Sequence, residues 1–548
     1  MTRNQTHAGL PVFPRRSYQQ VRTALLAGRE IALLDVREED PHAQAHPLFA
    51  ANLPLGRIEI DAYTRLPRRD VPIVVLDGGE GLALTAAERL RQLGYADVSL
   101  LDGGIDGWAA AGGELFRDVN VPSKAFGELV EEQRHTPSLS AQEVQALIDD
   151  RADIVILDAR RYDEYQTMSI PGSISVPGAE LVLRARELAP DPATRVIVNC
   201  AGRTRSIIGA QSLLNAGLPN PVAALRNGTI GWTLAGQTLQ HGQSRSYPPV
   251  SDQHRQTSAV AARRLAERAG VQHTGWAGLD VFKNDAARTT YYLDVRSPAE
   301  FARGRLPGFR SAPGGQLVQE TEQFGPVRGA RFVLADDDGV RANMSASWLR
   351  QMNHEVVVVD GLTAADFTVT QPWSAPLPPL PQVEQIGVAQ LSQWLADDAE
   401  GTALLDFTSG INYTKRHVAG AWFALRSDLK AALARLPPDT TRYVLTCGSG
   451  LLARFAALDL RALTALPVVV LSGGTAAWAD AGLALESGPT RLASPLIDRY
   501  RRPYEGTDNR QEAMQAYLDW EFGLVAQLGR DGTHGFKVLL EDGIRAPK

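Results

Sequence analysis

A pair of apolar runs at a fixed separation recurs four times along the chain, and this constrains the fold more than any other feature. The first run of each pair ends in Asp35, Asp158, Asp294 or Asp406. The second ends at Asp77, Cys200, Asp336 or Cys447, which lie 42, 42, 42 and 41 residues further on. A third run leads to Asp102-Gly103-Gly104, Asn227-Gly228, Asp360-Gly361 and Ser472-Gly473-Gly474. An aromatic residue follows each turn: Trp108, Trp232, Phe367 and Trp478, 31, 32, 31 and 31 residues past the end of the second run. The second-run ends are 123, 136 and 111 residues apart, so the repeats are whole tandem domains and not solenoid turns.

Short apolar runs of this kind read as buried strands, and the segments between them carry helical periodicity. Helices are expected after each second strand, over residues 83–93, 207–216, 344–352 and 452–463. Strands alternating with helices give an α/β fold: doubly wound parallel sheets, helices on both faces, and ligands beyond the carboxyl ends of the strands. Positions 77, 200, 336 and 447 fall there. The expected domains are 17–118, 138–240, 258–372 and 383–487, followed by a partly helical tail over 488–548. Residues 119–137, 240–257 and the proline-rich 372–382 read as linkers. Residues 258–269 read as an added helix. In the tail, 509–528 reads as a helix that docks Met514, Tyr517, Leu518, Trp520 and Phe522 on a neighbouring domain.

A net charge of −6 offers nothing to nucleic acid or an anionic membrane, and no apolar run has transmembrane length. The first eleven residues lack the apolar core of a signal peptide. The chain holds only two cysteines, Cys200 and Cys447, too few for a disulfide framework or a cysteine-rich metal site. These features point to a cytoplasmic protein with two free thiols, no metal, and neither nucleic acid nor membrane as partner.

The two cysteines are where chemistry is expected. A cysteine at a strand end, before a tight loop that opens a helix, meets free backbone N–H groups and the positive end of the helix dipole. Both favour the thiolate. In Cys200-Ala201-Gly202-Arg203-Thr204-Arg205, Gly202 lets the backbone curl, Arg203 and Arg205 bring positive charge, and the Thr204 hydroxyl can donate. In Cys447-Gly448-Ser449-Gly450 the loop has no cation.

The whole pattern resembles the rhodanese family of sulfurtransferases over residues 17–487. The resemblance rests on Asp-x-Arg at the first strand end, the cysteine loop, the Gly-Gly-x-x-x-Trp segment, and stretches such as Ser169-Ile170-Pro171-Gly172-Ser173 and His417-Val418-Ala419-Gly420-Ala421. It implies four tandem rhodanese-like domains, two silent (Asp77, Asp336) and two carrying a nucleophile (Cys200, Cys447). It also implies pairing of domain 1 with 2 and of 3 with 4. The implied activity moves a sulfane sulfur from a small anionic donor, through a cysteine persulfide, to a thiol or cyanide-like acceptor. A sulfur-acceptor protein is a further implied partner, and no cofactor is needed. Thiosulfate is the donor expected at Cys200. The Cys447 loop is similar to that of mercaptopyruvate sulfurtransferases, which implies 3-mercaptopyruvate there and proton transfer by Ser449.

The substrate-binding set is Ala201, Gly202, Arg203, Thr204, Arg205 and Arg160 at the first site, and Gly448, Ser449 and Gly450 at the second. Arg160 also reads as a structural ion-pair partner, and Arg296 and Arg305 as cations that a facing domain 3 could bring to Cys447. Asp77 and Asp336 read as loop caps, the tryptophans as packing anchors, and His417 as structural. The rival functions are a persulfide carrier or scaffold without turnover, and a cysteine phosphatase. Phosphatases of this fold use Cys-x5-Arg, whereas Cys200+6 is Ser206 and Cys447+6 is Ala453, so loop length argues against phosphoryl chemistry.

Overall fold

The structure, a computed structural model, describes residues 12–540 and the backbone of 543–545. The reading of the first eleven residues lies outside the described residues.

Four parallel sheets share one strand order. In the second domain it runs Ser138–Leu139, Val222–Leu225, Arg195–Asn199, Ile154–Asp158, Ile174–Ser175. The third gives Gln272–Gly275, Glu355–Asp360, Arg331–Ala335, Thr290–Asp294, Arg310–Ser311, and the fourth Gln385–Ile386, Val468–Leu471, Arg442–Thr446, Thr402–Asp406, Trp422–Phe423. In the first domain Arg15–Arg16, Val98–Leu101, Ile73–Leu76 and Ile31–Asp35 lie in the same order, with Ala51–Asn52 beside the last. The central strands send alternate side chains into two cores, which is why their middle positions are apolar on both faces. Val196 and Val198 face one core, with Leu181, Ala210 and Leu213. Ile197 faces the other, with Val144, Leu225 and Trp232.

The helices after the second strands are Leu82–Gln92, Thr204–Asn215, Arg341–Gln351 and Leu451–Arg461, each within a few residues of expectation. Other segments differ. Residues 119–137 are not a linker: Val121–Arg134 is a helix buried along most of its length. It packs on the helix after Cys200, where Gly127 lies against Thr204. The added helix begins inside the expected second linker, as Asp252–Arg268. The expected tail helix is two helices, Gln511–Phe522 and Leu524–Asp531.

The chain forms two compact units, and they correct the expected pairing. One holds 1–18, 32–118 and 375–501, joining domains 1 and 4. The other holds 19–31, 119–374 and 502–548, joining domains 2 and 3 with the tail. Within the first unit, buried Arg426 of domain 4 donates to the Gly56 carbonyl (2.7 Å) and pairs with Glu59 (2.8 Å) of domain 1 and Asp459 (2.8 Å). Within the second, Arg341 of domain 3 pairs with Glu180 of domain 2 (2.8 Å), and the Trp348 indole donates to Ser212 (2.9 Å).

Arg426→Ala leaves Glu59 and Asp459 with Arg89 as their remaining cation. It is expected to cost about 1–3 kcal/mol, read as a lowered urea midpoint with the slope unchanged. An unchanged midpoint would show that the pair does not hold domains 1 and 4 together.

Candidate active site

Each second strand delivers its last side chain to the same cradle. The backbone N–H six residues on, in the first turn of the following helix, points back at that side chain. Asp77 accepts from Ala83 N (2.9 Å) and Asp336 from Ala342 N (2.8 Å). Cys200 and Cys447 receive the backbone N–H of Ser206 and Ala453 in the same way. Asp77 and Asp336 take further N–H groups from Gly79 and Gly339, so a carboxylate fills the cradle in the silent domains. The glycine turns follow from this. A Cβ on Gly228 would sit 2.3 Å from the Cys200 carbonyl, and one on Gly474 2.1 Å from that of Cys447. Domain 3, with Leu362 after Gly361, lacks this close approach. Trp108, Trp232 and Trp478 are buried after the turns, and each indole donates to a carbonyl six residues on.

The first-strand aspartates are held by one device in three domains. Arg37, Arg160 and Arg296 each grip the aspartate two residues back through Nε and a second nitrogen, at 2.6–3.0 Å, and donate to a carbonyl. Arg160 is thereby buried and committed to Asp158 and the Met168 carbonyl, turned to the fold and not to a ligand. Thr408 replaces the arginine in domain 4. Burial then pushes the Asp406 carboxyl up to about 6, against the Thr408 N–H that accompanies it.

Cys200 is enclosed, 1% exposed, with Sγ 3.4 Å from the Ser206 hydroxyl. Burial pushes the thiol up, Arg205 and Ser206 oppose that, and Glu521 adds to it. Both loop arginines are neutralised. Arg205 makes a two-pronged pair with Glu164 (2.8 and 3.0 Å). Arg203 turns to Glu128 (2.8 Å) and Glu131 of the helix Val121–Arg134, under the Phe522 ring. Thr204 Oγ1 has no hydrogen-bond partner among the described residues. Ala201 and Gly202 are covered by the tail: Tyr504, Met514, Tyr517 and Leu518 pack on Ala201 and Ile230. A Cβ on Gly202 would meet Tyr517 and Glu521 at 3.1 Å each.

Cys447 is equipped differently. Burial raises its thiol too, but the N–H groups of Ala453, Leu452 and Ser449 oppose this, and Asp406 stands where a cation would help. Gly448 and Ser449 are exposed, and Gly450 turns the loop at φ +80°. Arg296 is committed to Asp294 and Asp337, and Arg305 donates to the Val369 and Gln371 carbonyls. Both belong to the compact unit that does not contain Cys447. His417 is stacked on Tyr413 at 3.8 Å and holds the Tyr413 carbonyl through Nδ1, a structural role. Among the described residues no three His, Cys, Asp or Glu side chains are grouped to hold a metal, and no helix is long and apolar enough to cross a membrane.

The residues that sequence reasoning missed are Glu128, Glu164 and the tail residues Tyr504 and Glu521. Glu521 left a signal: it occupies the seventh place on the 514, 517, 518, 521 apolar stripe, and a carboxylate on a docking face needs a reason.

A model of the family described as rhodanese-like domain matches residues 18–111, 140–235 and 279–362; the fourth repeat lies outside these matches. A crystal structure of thiosulfate sulfurtransferase from Pseudomonas aeruginosa is 67% identical, covers 96% of this chain and 100% of its own, and superposes with a TM-score of 0.95. A transcriptional regulator of the HTH type from Mycobacterium tuberculosis is 30% identical over 90 residues, 16% of this chain and 39% of the regulator. The uncharacterized protein YibN of Escherichia coli K12 is 28% identical over 96 residues, 17% of this chain and 67% of YibN.

Two outcomes are expected. Alkylation by iodoacetamide should be faster at Cys447, whose loop is open, than at Cys200, and both rates should still climb above pH 9, since both thiols are raised. Equal rates, or a plateau at pH 7, would contradict this. Asp406 should titrate near 6. Its folded value lies above the unfolded ~3.9, so its stabilising share is complete below that pH and lost as pH rises through about 6. Thr408→Arg should lower that value, read by carboxyl NMR or infrared titration.

Proposed function

We propose that this chain, which belongs to the rhodanese-like domain family, is a sulfurtransferase with Cys200 as its principal nucleophile and thiosulfate as the donor there. The observation that carries the reading is the full-length likeness to the Pseudomonas aeruginosa thiosulfate sulfurtransferase, together with a thiol in the cradle that carboxylates fill in domains 1 and 3. In the donor half-reaction Cys200 first gives its thiol proton to solvent, and the thiolate attacks the outer sulfur of thiosulfate. The S–S bond breaks, and sulfite leaves with its electron pair. In the acceptor half-reaction an incoming thiolate or cyanide takes the outer sulfur, and the electron pair returns to Cys200 Sγ. The Ser206 N–H stabilises the anionic sulfur at both stages, and Arg205, although paired with Glu164, keeps a cation on the sulfur's side of the loop. The persulfide is the only intermediate, and the reaction needs no cofactor. Two unpaired thiols suit a reducing compartment, and we place the protein in the cytoplasm.

Cys447 is proposed as a second site for a donor whose sulfur is bound to carbon, 3-mercaptopyruvate. Three N–H groups and an exposed Ser449 support it: the first to receive charge on sulfur, the second to move a proton as the carbon–sulfur bond breaks. The alternative of a persulfide carrier without turnover draws on the enclosure of Cys200 beneath the tail.

Peptide mass mapping after exposure to thiosulfate should find one added sulfur on the Cys200 peptide, and Cys200→Ser should lower thiosulfate turnover by roughly 10³-fold or more. Full activity in Cys200→Ser would move the site elsewhere. Loading that stops at one sulfur per chain, with excess donor and acceptor present, would favour the carrier.

A further inference from the structure

The residues that cover the Cys200 loop come from outside the repeats, and they form a coupled set of ionisable groups. The tail helix Gln511–Phe522 lays Tyr517 and Glu521 on Gly202, two residues from the nucleophile. Glu521 is only 1% exposed, and its Oε1 accepts from the Tyr517 hydroxyl (2.9 Å). Glu521 acts electrostatically on both neighbours: it pushes up the Cys200 thiol and the Glu128 carboxyl, which burial carries to about 7. The groups around it are set by three elements. The cysteine loop brings Cys200, Arg203 and Arg205. The helix Val121–Arg134 brings Glu128 and Glu131, both on Arg203, and Lys124, whose ammonium lies 5.1–5.7 Å from the rings of Tyr504, Tyr517 and Trp520. The tail brings the two tyrosines. Beside this cluster Thr229, Ile230, Leu239, Tyr504 and Met514 line a cavity of about 220 Å³, open enough for a small organic molecule. Thr229 and Ile230 donate their backbone N–H groups to the carbonyls of Cys200 and Ala201, so the cavity wall is built on the loop itself. His241, also on its wall, holds the Thr167 carbonyl (2.7 Å).

A buried carboxylate beside a sulfur that must become anionic works against the donor half-reaction. Each turnover returns Cys200 as the thiolate, so the donor half-reaction needs no base in the running cycle, and the carboxylate is useful only if another step does. Attack by a thiol on the persulfide is such a step, because the acceptor arrives with a proton that must go. We propose that Glu521 is the proton acceptor for a small neutral thiol that takes the sulfur from Cys200, with the thiol's carbon body in the Tyr504–Met514 cavity. This rests on the sulfurtransferase reading and names its acceptor class. In the step, the thiol proton passes to the Glu521 carboxylate. The thiolate then bonds to the outer persulfide sulfur, the S–S bond breaks, and its electron pair returns to Cys200. The products are the acceptor's persulfide, the Cys200 thiolate and a protonated Glu521 that later loses its proton to water. Sulfite, an anion without a proton to give, needs no such base.

The test uses the full chain, loaded with thiosulfate and checked for sulfur on Cys200 before any acceptor is added. A failed load refutes the sulfurtransferase reading itself, whereas a failure of Glu521 as base shows only in the transfer step. Sulfur transfer is then timed to 2-mercaptoethanol and, separately, to sulfite. Glu521→Gln is expected to lower the ratio of thiol transfer to sulfite transfer by about 10²-fold, and Glu521→Asp to restore part of it. Tyr517→Phe keeps the charge but removes the hydrogen bond that favours the carboxylate. It should move the acidic limb of the thiol-transfer pH profile upward, on the order of one unit, and leave the sulfite profile in place. A ratio unchanged in Glu521→Gln, or pH profiles that shift together in Tyr517→Phe, overturns the proposal and leaves the tail as packing alone.

Discussion

Every repeat is organised by one hydrogen bond: the backbone N–H in the first turn of a helix, aimed at the side chain that ends the preceding strand. A helix start carries unsatisfied N–H groups, and burying them without an acceptor is costly. The strand end must therefore supply an anion or its equivalent. Asp77 and Asp336 supply a carboxyl oxygen that accepts the N–H, in domains that carry no cysteine. Cys200 and Cys447 supply a thiol that burial pushes up, and in the proposed reaction that sulfur becomes charged. The same cradle is a structural cap in two domains and, in the proposed reaction, a place to stabilise charge on sulfur in the other two. The Gly228 and Gly474 turns belong to this constraint, since a side chain at either would collide with the cradle's carbonyls.

The two thiols sit in the same cradle with different surroundings. Cys200 has a cation nearby, one N–H and a covered loop. Cys447 has three N–H groups, an exposed loop and an aspartate that lost its arginine partner. Charge on sulfur is thus opposed by burial in both cases and relieved by different means. Arg341 in the silent third domain repeats the Arg205–Glu164 pair with Glu300, six residues past Asp294 as Glu164 is six past Asp158. The pair is therefore part of the loop's architecture, present with a thiol in domain 2 and without one in domain 3.

The strand ends, the glycine turns and the helices after the second strand were legible because each is fixed by local sequence and repeated four times. The alternation of Val196, Ile197 and Val198 between two cores says as much as a strand can say about its sheet. What was not legible depends on distant partners. Arg203 looks like a substrate cation until Glu128 is found beside it, on the helix Val121–Arg134, whose sequence reads as linker. The contacts that pair domain 1 with 4, and 2 with 3, include those of the buried arginines Arg426 and Arg341, and no periodicity announces such contacts. The docking of the tail was readable from its apolar stripe, but its placement on the Cys200 loop was not.

The central claim is that the cradle holds a sulfur anion at Cys200 while carboxylates hold the equivalent places shut. A crystal structure determined after thiosulfate soaking tests it most directly. The account predicts an extra sulfur on Cys200 with the Ser206 N–H still directed at the cysteine, and the Asp77 and Asp336 loops unchanged. An unmodified Cys200 in crystals that turn over thiosulfate would contradict it.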